Sequence, residues 1–267
     1  MEFSQSLGFV LAIFVGMTLG MLGSGGSILS VPILVYVMGI EPTLATAYSL
    51  FVIGTASLVG GFQKAKQKGV DFRKVVLFGI PTVITVFITR KIIVPEIPNV
   101  IISSDWFTLD KSVLIMIVFA VVMIIASIKM IKPSEMPIVS GDEELNYYKI
   151  GFYGIGIGLL SGFVGAGGGF LIIPTLLFLA KTPMKVAVGT SLFIVASQSL
   201  IGFLGDINGS QSIDWKLLLV FTGCSIVGIF IGNFISKKVD GVKLKTAFGW
   251  FVLAMGIYIM IKEFLLT

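Results

Sequence analysis

Apolar runs long enough to cross a lipid bilayer fill almost the whole 267-residue chain. Hydrophobic residues make up 56% of the sequence and charged residues 12%, and the mean hydropathy is +1.04. A hydrocarbon core of about 30 Å is crossed by about 20 apolar residues in a helix. Because backbone groups in lipid must hydrogen-bond within the protein, helices are the economical solution. The sequence therefore predicts an all-α polytopic membrane protein without a separate soluble domain.

The apolar runs form two sets of five, which indicates an internal duplication. The first set covers residues 6–22, 27–39, 44–62, 72–94 and 111–131, and the second covers 148–165, 169–180, 186–204, 216–236 and 246–264. Short motifs recur in the same order, such as Ser49-Leu50-Phe51 with Ser191-Leu192-Phe193, and Val70-Asp71-Phe72-Arg73 with Ile213-Asp214-Trp215-Lys216. We expect a first transmembrane repeat at 1–131 and a second at 148–267, joined by a polar linker at 132–147.

The charges of equivalent loops predict that the two repeats are inverted relative to each other. The loop after the third run of the first repeat is rich in lysine, whereas its counterpart at 205–216 carries two acids and one lysine. Basic loops stay on the cytoplasmic side of a membrane. This pattern predicts a plasma-membrane protein with a cytoplasmic linker and both termini outside. It also predicts eight to ten membrane segments, with the short runs broken or re-entrant, since residues 27–39 would rise only about 20 Å as a helix.

A glycine cluster follows the first run of each repeat: Gly23-Ser24-Gly25-Gly26-Ser27 and Gly165-Ala166-Gly167-Gly168-Gly169. Glycine-broken segments at matching positions of inverted repeats are typical of a transporter's binding site near the midplane. Helices that begin at Ser27 and Gly169 would direct free amides and positive dipole ends at the turns, which favours an anion. We therefore expect the turns to be two halves of one anion site. The alternative is that glycines only permit close helix packing, as at Gly154, Gly158, Gly228 and Gly232.

The third run of each repeat adds polar side chains inside the membrane. Ser49 and Ser191 match across the duplication, and Gln198 is the most polar mid-helix side chain, so it should find a ligand or a neighbouring turn. The competing interpretation is that these hydroxyls only bond a carbonyl of their own helix. The candidate substrate-binding residues are Ser24, Gly25, Gly26, Ser27, Ser49, Gly167, Gly168, Gly169, Thr190, Ser191 and Gln198.

Other functions lack the residues that they need. The chain has no histidine and one cysteine, Cys224, which excludes disulfide frameworks and Cys/His metal sites. No catalytic constellation is visible, so we expect no enzymatic activity and no cofactor. The net charge of +5 comes from loops between apolar runs, which can touch anionic lipid headgroups, and it does not indicate nucleic acid binding. We identify no buried acid or base at a segment centre that would carry protons.

The duplicated motif resembles the sulfite exporter TauE/SafE permease family. The resemblance rests on two Gly-x-Gly-Gly-(Gly/Ser) turns, each followed by an apolar run with a proline, and on the helix that contains Ala187-Val188-Gly189-Thr190-Ser191-Leu192. It covers essentially the whole chain, and the second copy is nearer the family pattern. It implies a permease for sulfite or organosulfonates such as sulfoacetate. We expect a secondary transporter that acts as an exporter, with H⁺ or Na⁺ as the candidate coupling ion. A passive anion channel and a membrane assembly protein without transport are the alternatives.

Overall fold

The computed structural model describes residues 2–104, 107–131, 147–178, 180–207, 213–236 and 241–266. All but the last residue of the predicted linker at 132–147 lies outside these ranges. The first repeat contains α1 (Glu2–Leu22), a 3₁₀ helix (Gly23–Leu29), α2 (Ser30–Pro32), a π-helical stretch (Ile33–Val37), α3 (Pro42–Lys66), α4 (Phe72–Ile88), a second π-helical stretch (Thr89–Ile93), α5 (Val94–Glu96), an antiparallel hairpin of β1 (Val100–Ser104) and β2 (Phe107–Asp110), and α6 (Lys111–Ile131). The second contains α7 (Tyr147–Val164), α8 (Gly169–Phe178), α9 (Met184–Asp206), α10 (Trp215–Ile235) and α11 (Gly241–Leu266).

Helices dominate this architecture, and the prediction of an all-α polytopic membrane protein is confirmed. Within the described residues, seven helical stretches are long and apolar enough to cross a membrane, and α7 contributes a shorter apolar helix at 149–164. The ten residues of α8 would rise only about 15 Å, about half of a hydrocarbon core. This element is therefore too short to span a membrane by itself, as expected for the run that follows a glycine turn.

Equivalent helices of the two repeats pack against each other in antiparallel directions. Gly54 of α3 lies against Leu200 of α9, and Gly61, further along α3, lies against Phe193, which comes earlier in α9. The same relation holds for α6 and α11, where Gly249 lies against Met130 and Gly256 against Met123. Antiparallel packing of equivalent helices is the arrangement that an inverted duplication requires. The side of the membrane that each loop faces stays a prediction.

Glycines bring the first helix of each repeat against the fourth helix of the other. A Cβ on Gly16 of α1 would lie 1.9 Å from the carbonyl oxygen of Ser225 in α10, and one on Gly158 of α7 would lie 2.8 Å from that of Thr82 in α4. Gly228 and Gly232 pack from the α10 side against the carbonyl oxygens of Ile13 and Met17. These glycines thus serve the close helix approach that was the alternative role for glycine in this chain.

Gly228→Ala is expected to destabilise the protein, because the new Cβ would lie 2.0 Å from the carbonyl oxygen of Ile13. Overpacking of this kind costs about 1–3 kcal/mol. Gly223 on the same helix is the matched control, since no atom of the described residues outside its own helix backbone lies within 4 Å of its Cβ position. We expect Gly223→Ala to retain or raise stability, because alanine favours helix by about 0.5–1 kcal/mol. Unfolding in detergent micelles measures both, and equal stability of the two variants would contradict the packing role.

Candidate functional site

The second glycine turn reverses the chain between α7 and α8. Gly165, Gly167 and Gly168 have φ angles of +71°, +66° and +58°. Residues that carry a Cβ atom rarely adopt this left-handed backbone conformation. Helix α8 then begins at Gly169, as predicted. Three left-handed residues within four positions make the reversal tight enough to place the start of α8 beside the end of α7.

The first turn is built differently from the second, although its sequence is equivalent. Only Gly23 has a positive φ angle, +70°, and the chain then continues directly as the 3₁₀ helix Gly23–Leu29. The prediction that a helix begins at Ser27 is therefore wrong: α2 begins at Ser30. Gly25 and Gly26 have no positive φ angle. The left-handed conformation is therefore confined to Gly23, and helical hydrogen bonding continues from there.

The structure brings the two turns into direct contact. Ser24 Oγ donates a hydrogen bond to the carbonyl oxygen of Gly169 at 3.2 Å, and Ser27 Oγ donates to that of Ala166 at 2.6 Å. A Cβ on Gly169 would lie 2.2 Å from the carbonyl oxygen of Ser24. All residues of both turns are buried. The hydroxyl protons of Ser24 and Ser27, expected to face an anion, instead join the two turns in this conformation.

Gln198 of α9 holds the second turn from the side. Its Nε2 donates to the carbonyl oxygen of Gly167 and lies 3.3 Å from Ser161 Oγ of α7. Its Oε1 is buried and has no hydrogen-bond partner among the described residues. The neighbouring Ser199 lies against the same turn, because a Cβ on Gly167 would be 3.0 Å from Ser199 Oγ. Gln198 thus contacts a turn, as predicted, and its Oε1 is a hydrogen-bond acceptor without a donor among the described residues.

Buried hydroxyls without a protein partner lie on both α3 and α9. Ser49 and Ser57 of α3 and Ser199 of α9 are fully buried, and their Oγ atoms have no hydrogen-bond partner among the described residues. Ser57 and Ser199 are equivalent at the offset of 142 residues, so the criterion that selected Ser49 and Ser191 could also have selected them. A buried hydroxyl without a partner costs about 1–3 kcal/mol. A ligand that accepts hydrogen bonds would remove that cost.

Two predicted site residues have other contacts. Ser191 Oγ donates to the carbonyl oxygen of Val188 in its own helix at 2.9 Å, which is the alternative role for intramembrane hydroxyls. Thr190 Oγ1 accepts from the backbone amide of Asp71, which precedes α4, at 3.0 Å. Thr190 therefore joins the start of α9 to a loop of the other repeat. Neither Thr190 nor Ser191 makes a side-chain hydrogen bond to a turn in these contacts. The predicted site residues that do take part in hydrogen bonds at the turns are Ser24, Ser27, Gly167, Gly169 and Gln198.

The space beside the four central glycines differs from one to the next. A Cβ on Gly26 would meet backbone of Thr18 at 2.4 Å, and one on Gly168 would meet Ser161 Cβ at 2.9 Å. A Cβ on Gly25, by contrast, would have only Ile173 Cδ1 nearby, at 4.0 Å. Gly25 is itself buried, so a methyl group there would lie inside the protein without a close contact to another element among the described residues. Among the four, Gly25 is the position with room for a ligand atom.

Arg90 is a functional candidate that sequence reasoning missed. It lies near the end of the predicted apolar run 72–94, in the π-helical extension of α4, and its side chain is completely buried. It pairs with Asp206 at the end of α9 and donates to Thr46 of α3. The signal in the sequence was the apolar stretch that continues past Arg90 and Lys91 at residues 92–94. The expectation concerned acids and bases at segment centres, and this buried charge near the end of a segment lies outside it.

The chain is similar to proteins described as membrane transporters. A family model described as Sulfite exporter TauE/SafE matches residues 8–259. A "Probable membrane transporter protein" of Xylella fastidiosa (strain Temecula1) is 29% identical over 252 residues, which cover 92% of this chain and 91% of the relative. The "Probable membrane transporter protein YunE" of Bacillus subtilis is 25% identical over 258 residues, covering 88% and 90%. No solved structure matches the chain. With nearly all of its length matched by the family model, the chain belongs to the sulfite exporter TauE/SafE family.

Proposed function

We propose that this membrane transporter moves small sulfur oxyanions, such as sulfite or organosulfonates, out of the cell across the plasma membrane. The family description supports a sulfur oxyanion and the outward direction. The observation that carries the proposal is the meeting of two glycine turns beside Ser199, a buried hydroxyl that has no hydrogen-bond partner among the described residues. Such groups suit an oxyanion, because its oxygens accept several hydrogen bonds at once.

The turns supply donors of two kinds. The amides of Gly169 and Phe170 are the candidate backbone donors at the start of α8, since those of Leu171 and Ile172 donate to the carbonyl oxygen of Gly168. The positive end of the helix dipole favours negative charge there. Ser199 supplies a hydroxyl beside Gly167, and Ser49 and Ser57 supply hydroxyls from α3, whose Ile53 lies against the same glycine. Hydrogen bonds to a charged partner contribute about 1.5–3 kcal/mol each, so several must converge to hold an anion in a site of this kind.

The two turns must separate for an anion to lie between them. In this conformation Ser24 and Ser27 hold the turns together through single hydrogen bonds to carbonyl oxygens. An oxyanion that accepts from these hydroxyls and from the amides at the start of α8 would replace the carbonyl oxygens as the hydrogen-bond acceptor. The contact between the turns is thus the closed state of the proposed site, and the anion stabilises the open one.

Reconstitution into liposomes tests the proposed transport. We expect outward flux of sulfite from loaded vesicles, and accumulation against its own gradient when a proton or sodium gradient is imposed. Flux that only runs down the anion gradient would favour the passive channel. Absence of flux, together with absence of any thermal shift with sulfite, sulfoacetate or thiosulfate, would favour an assembly protein that does not transport.

Ser57→Ala and Ser199→Ala are each expected to weaken sulfite binding by about ten-fold to a hundred-fold, because each removes a donor to a charged ligand. Calorimetry on purified protein measures the affinity. Ser197→Ala is the matched control, since its hydroxyl donates to Phe193 in its own helix at 2.9 Å. We expect no more than a two-fold change for Ser197→Ala. Unchanged affinity in the Ser57→Ala/Ser199→Ala double variant would show that these serines do not face the ligand.

A further inference from the structure

Arg90 carries a buried positive charge close to the second turn. Its Nε lies 2.9 Å from Asp206 Oδ2, and its Nη2 donates to Thr46 Oγ1 at 3.0 Å. Its Nη1 has no hydrogen-bond partner among the described residues. A buried cation without an anionic partner is strongly unfavourable. Arg90 therefore needs an anion beside it in every state of the protein.

An open cavity of about 590 Å³ reaches Asp206, the carboxylate of this ion pair, and we name it the vestibule. Its polar lining consists of Glu41, Thr43, Asn99, Asp110, Lys111, Ser112 and Asp206. The side chain of Asp206 is 17% exposed, whereas that of Arg90 is 0% exposed. The carboxylate can therefore turn into water when another anion replaces it, while the guanidinium stays in place.

Arg90 also connects the vestibule with the second turn. Thr46, which accepts the hydrogen bond from Arg90, lies against Gly165: a Cβ on Gly165 would be 2.4 Å from Thr46 Cβ. Asp206, Arg90, Thr46 and Gly165 therefore form a continuous series from the cavity to the turn. An anion that replaces the Asp206 carboxylate stands one side chain away from the turn.

The equivalent position of the other repeat carries a neutral pair. Asn233 Nδ2 donates to Gln63 Oε1. Asn233 is the equivalent of Arg90 in the second repeat, and Asp206 is the equivalent of Gln63. Both pairs of positions are 143 residues apart, as are Asp71 and Asp214. Both pairs thus join α3 or α9 to the fourth helix of the other repeat. A neutral pair is sufficient to join these helices, so the charge of the Arg90–Asp206 pair points to a further role.

We propose that Arg90 is a second anion-binding site, held by the Asp206 carboxylate at rest and taken over by a small oxyanion that arrives through the vestibule. Glu41 does not compete for Arg90, because its carboxylate accepts from the backbone amide of Leu44 and from Ser112 Oγ. The proposal rests on the proposed function, since the same sulfur oxyanion passes from Arg90 to the turns.

The test separates the two sites with Gly25→Val, which fills the space beside Gly25 and so removes the turn site. In that background, Asp206→Asn removes the competing carboxylate, and we expect it to bind one sulfite per chain in calorimetry. A second variant in the same background carries Arg90→Asn and Asp206→Gln, which copy the neutral pair of the other repeat. Its affinity for sulfite should be at least a hundred-fold lower than that of the Asp206→Asn variant. Asn233→Ala is the control at the neutral pair and should change affinity less than two-fold.

Thermal unfolding gives a second measurement on the Asp206→Asn variant. Because its buried Arg90 lacks an anion, we expect low stability in gluconate buffer and a larger rise of the melting temperature with sulfite than in the wild type. Equal sulfite affinity of the Asp206→Asn variant and the neutral-pair variant would overturn the Arg90 site. So would an equal rise of the melting temperature with sulfite in the Asp206→Asn variant and the wild type. Wild-type protein that neither binds nor moves sulfite would instead overturn the proposed function.

Discussion

Gly169→Val is expected to abolish sulfite flux and to lower the amount of folded protein. The first atom of the new side chain would lie 2.2 Å from the carbonyl oxygen of Ser24 and 2.3 Å from its Cβ. Both neighbours belong to the opposing turn, so the conflict is relieved only when the turns separate. The expected cost is about 3 kcal/mol or more, at the upper end of overpacking, because backbone must move. Flux assays and elution in size-exclusion chromatography measure the two effects.

Gly156→Val is the matched control for this variant. Gly156 lies in α7 of the same repeat, and in the part of the chain that the structure describes no atom outside its own helix backbone lies within 4 Å of its Cβ position. We expect it to fold and to transport within about two-fold of the wild type. A Gly169→Val protein with normal elution and full flux would show that contact between the turns is not required.

Gly25→Val should have the opposite combination of effects, with a retained fold and lost function. Gly25 has no positive φ angle, and the nearest atom of another element to its Cβ position is Ile173 Cδ1 at 4.0 Å, so the first atom of a side chain fits there without a close contact. The same side chain would occupy the space between the turns in which we place the anion. We expect sulfite affinity to fall at least a hundred-fold, which corresponds to about 2.7 kcal/mol. Calorimetry and thermal unfolding on the same preparation give both quantities.

Gly167→Ala controls for the effect of a methyl group at the equivalent glycine. Gly167 has a φ of +66°, and its Cβ position is 3.0 Å from Ile53 Cγ2 and Ser199 Oγ. It should therefore lose stability as well as affinity, whereas Gly25→Val loses affinity alone. If Gly25→Val binds sulfite as tightly as the wild type, the anion does not occupy the space beside Gly25.

The architecture could be predicted from the sequence because hydropathy and repetition act over many residues. The helix bounds follow the apolar runs, and the second turn ends at Gly169 as its sequence indicates. The conformation of the first turn was not predictable, because a glycine is compatible with either sign of φ. Only tertiary packing decides that Gly25 and Gly26 continue a 3₁₀ helix, whereas Gly167 and Gly168 are left-handed.

The candidate site was predictable only in part. The pairing of the turns follows from the duplication, but the partners of single hydroxyls do not. Ser191 bonds its own helix and Ser49 has no partner among the described residues, although both occupy the same place in their repeats. Arg90 was missed because a charge near the end of an apolar run usually lies in water. Its burial depends on Asp206, 116 positions further along the chain.

Anomalous diffraction from crystals soaked with selenite would locate the anion directly, because selenite shares the pyramidal shape and charge of sulfite and selenium scatters anomalously. We expect a selenium peak between the two glycine turns, with oxygens within about 3.2 Å of backbone amides and of the Ser49, Ser57 or Ser199 hydroxyls. The peak should disappear in Gly25→Val crystals. Selenium found only at exposed lysines of the loops, with none between the turns, would contradict a transport site at the turns.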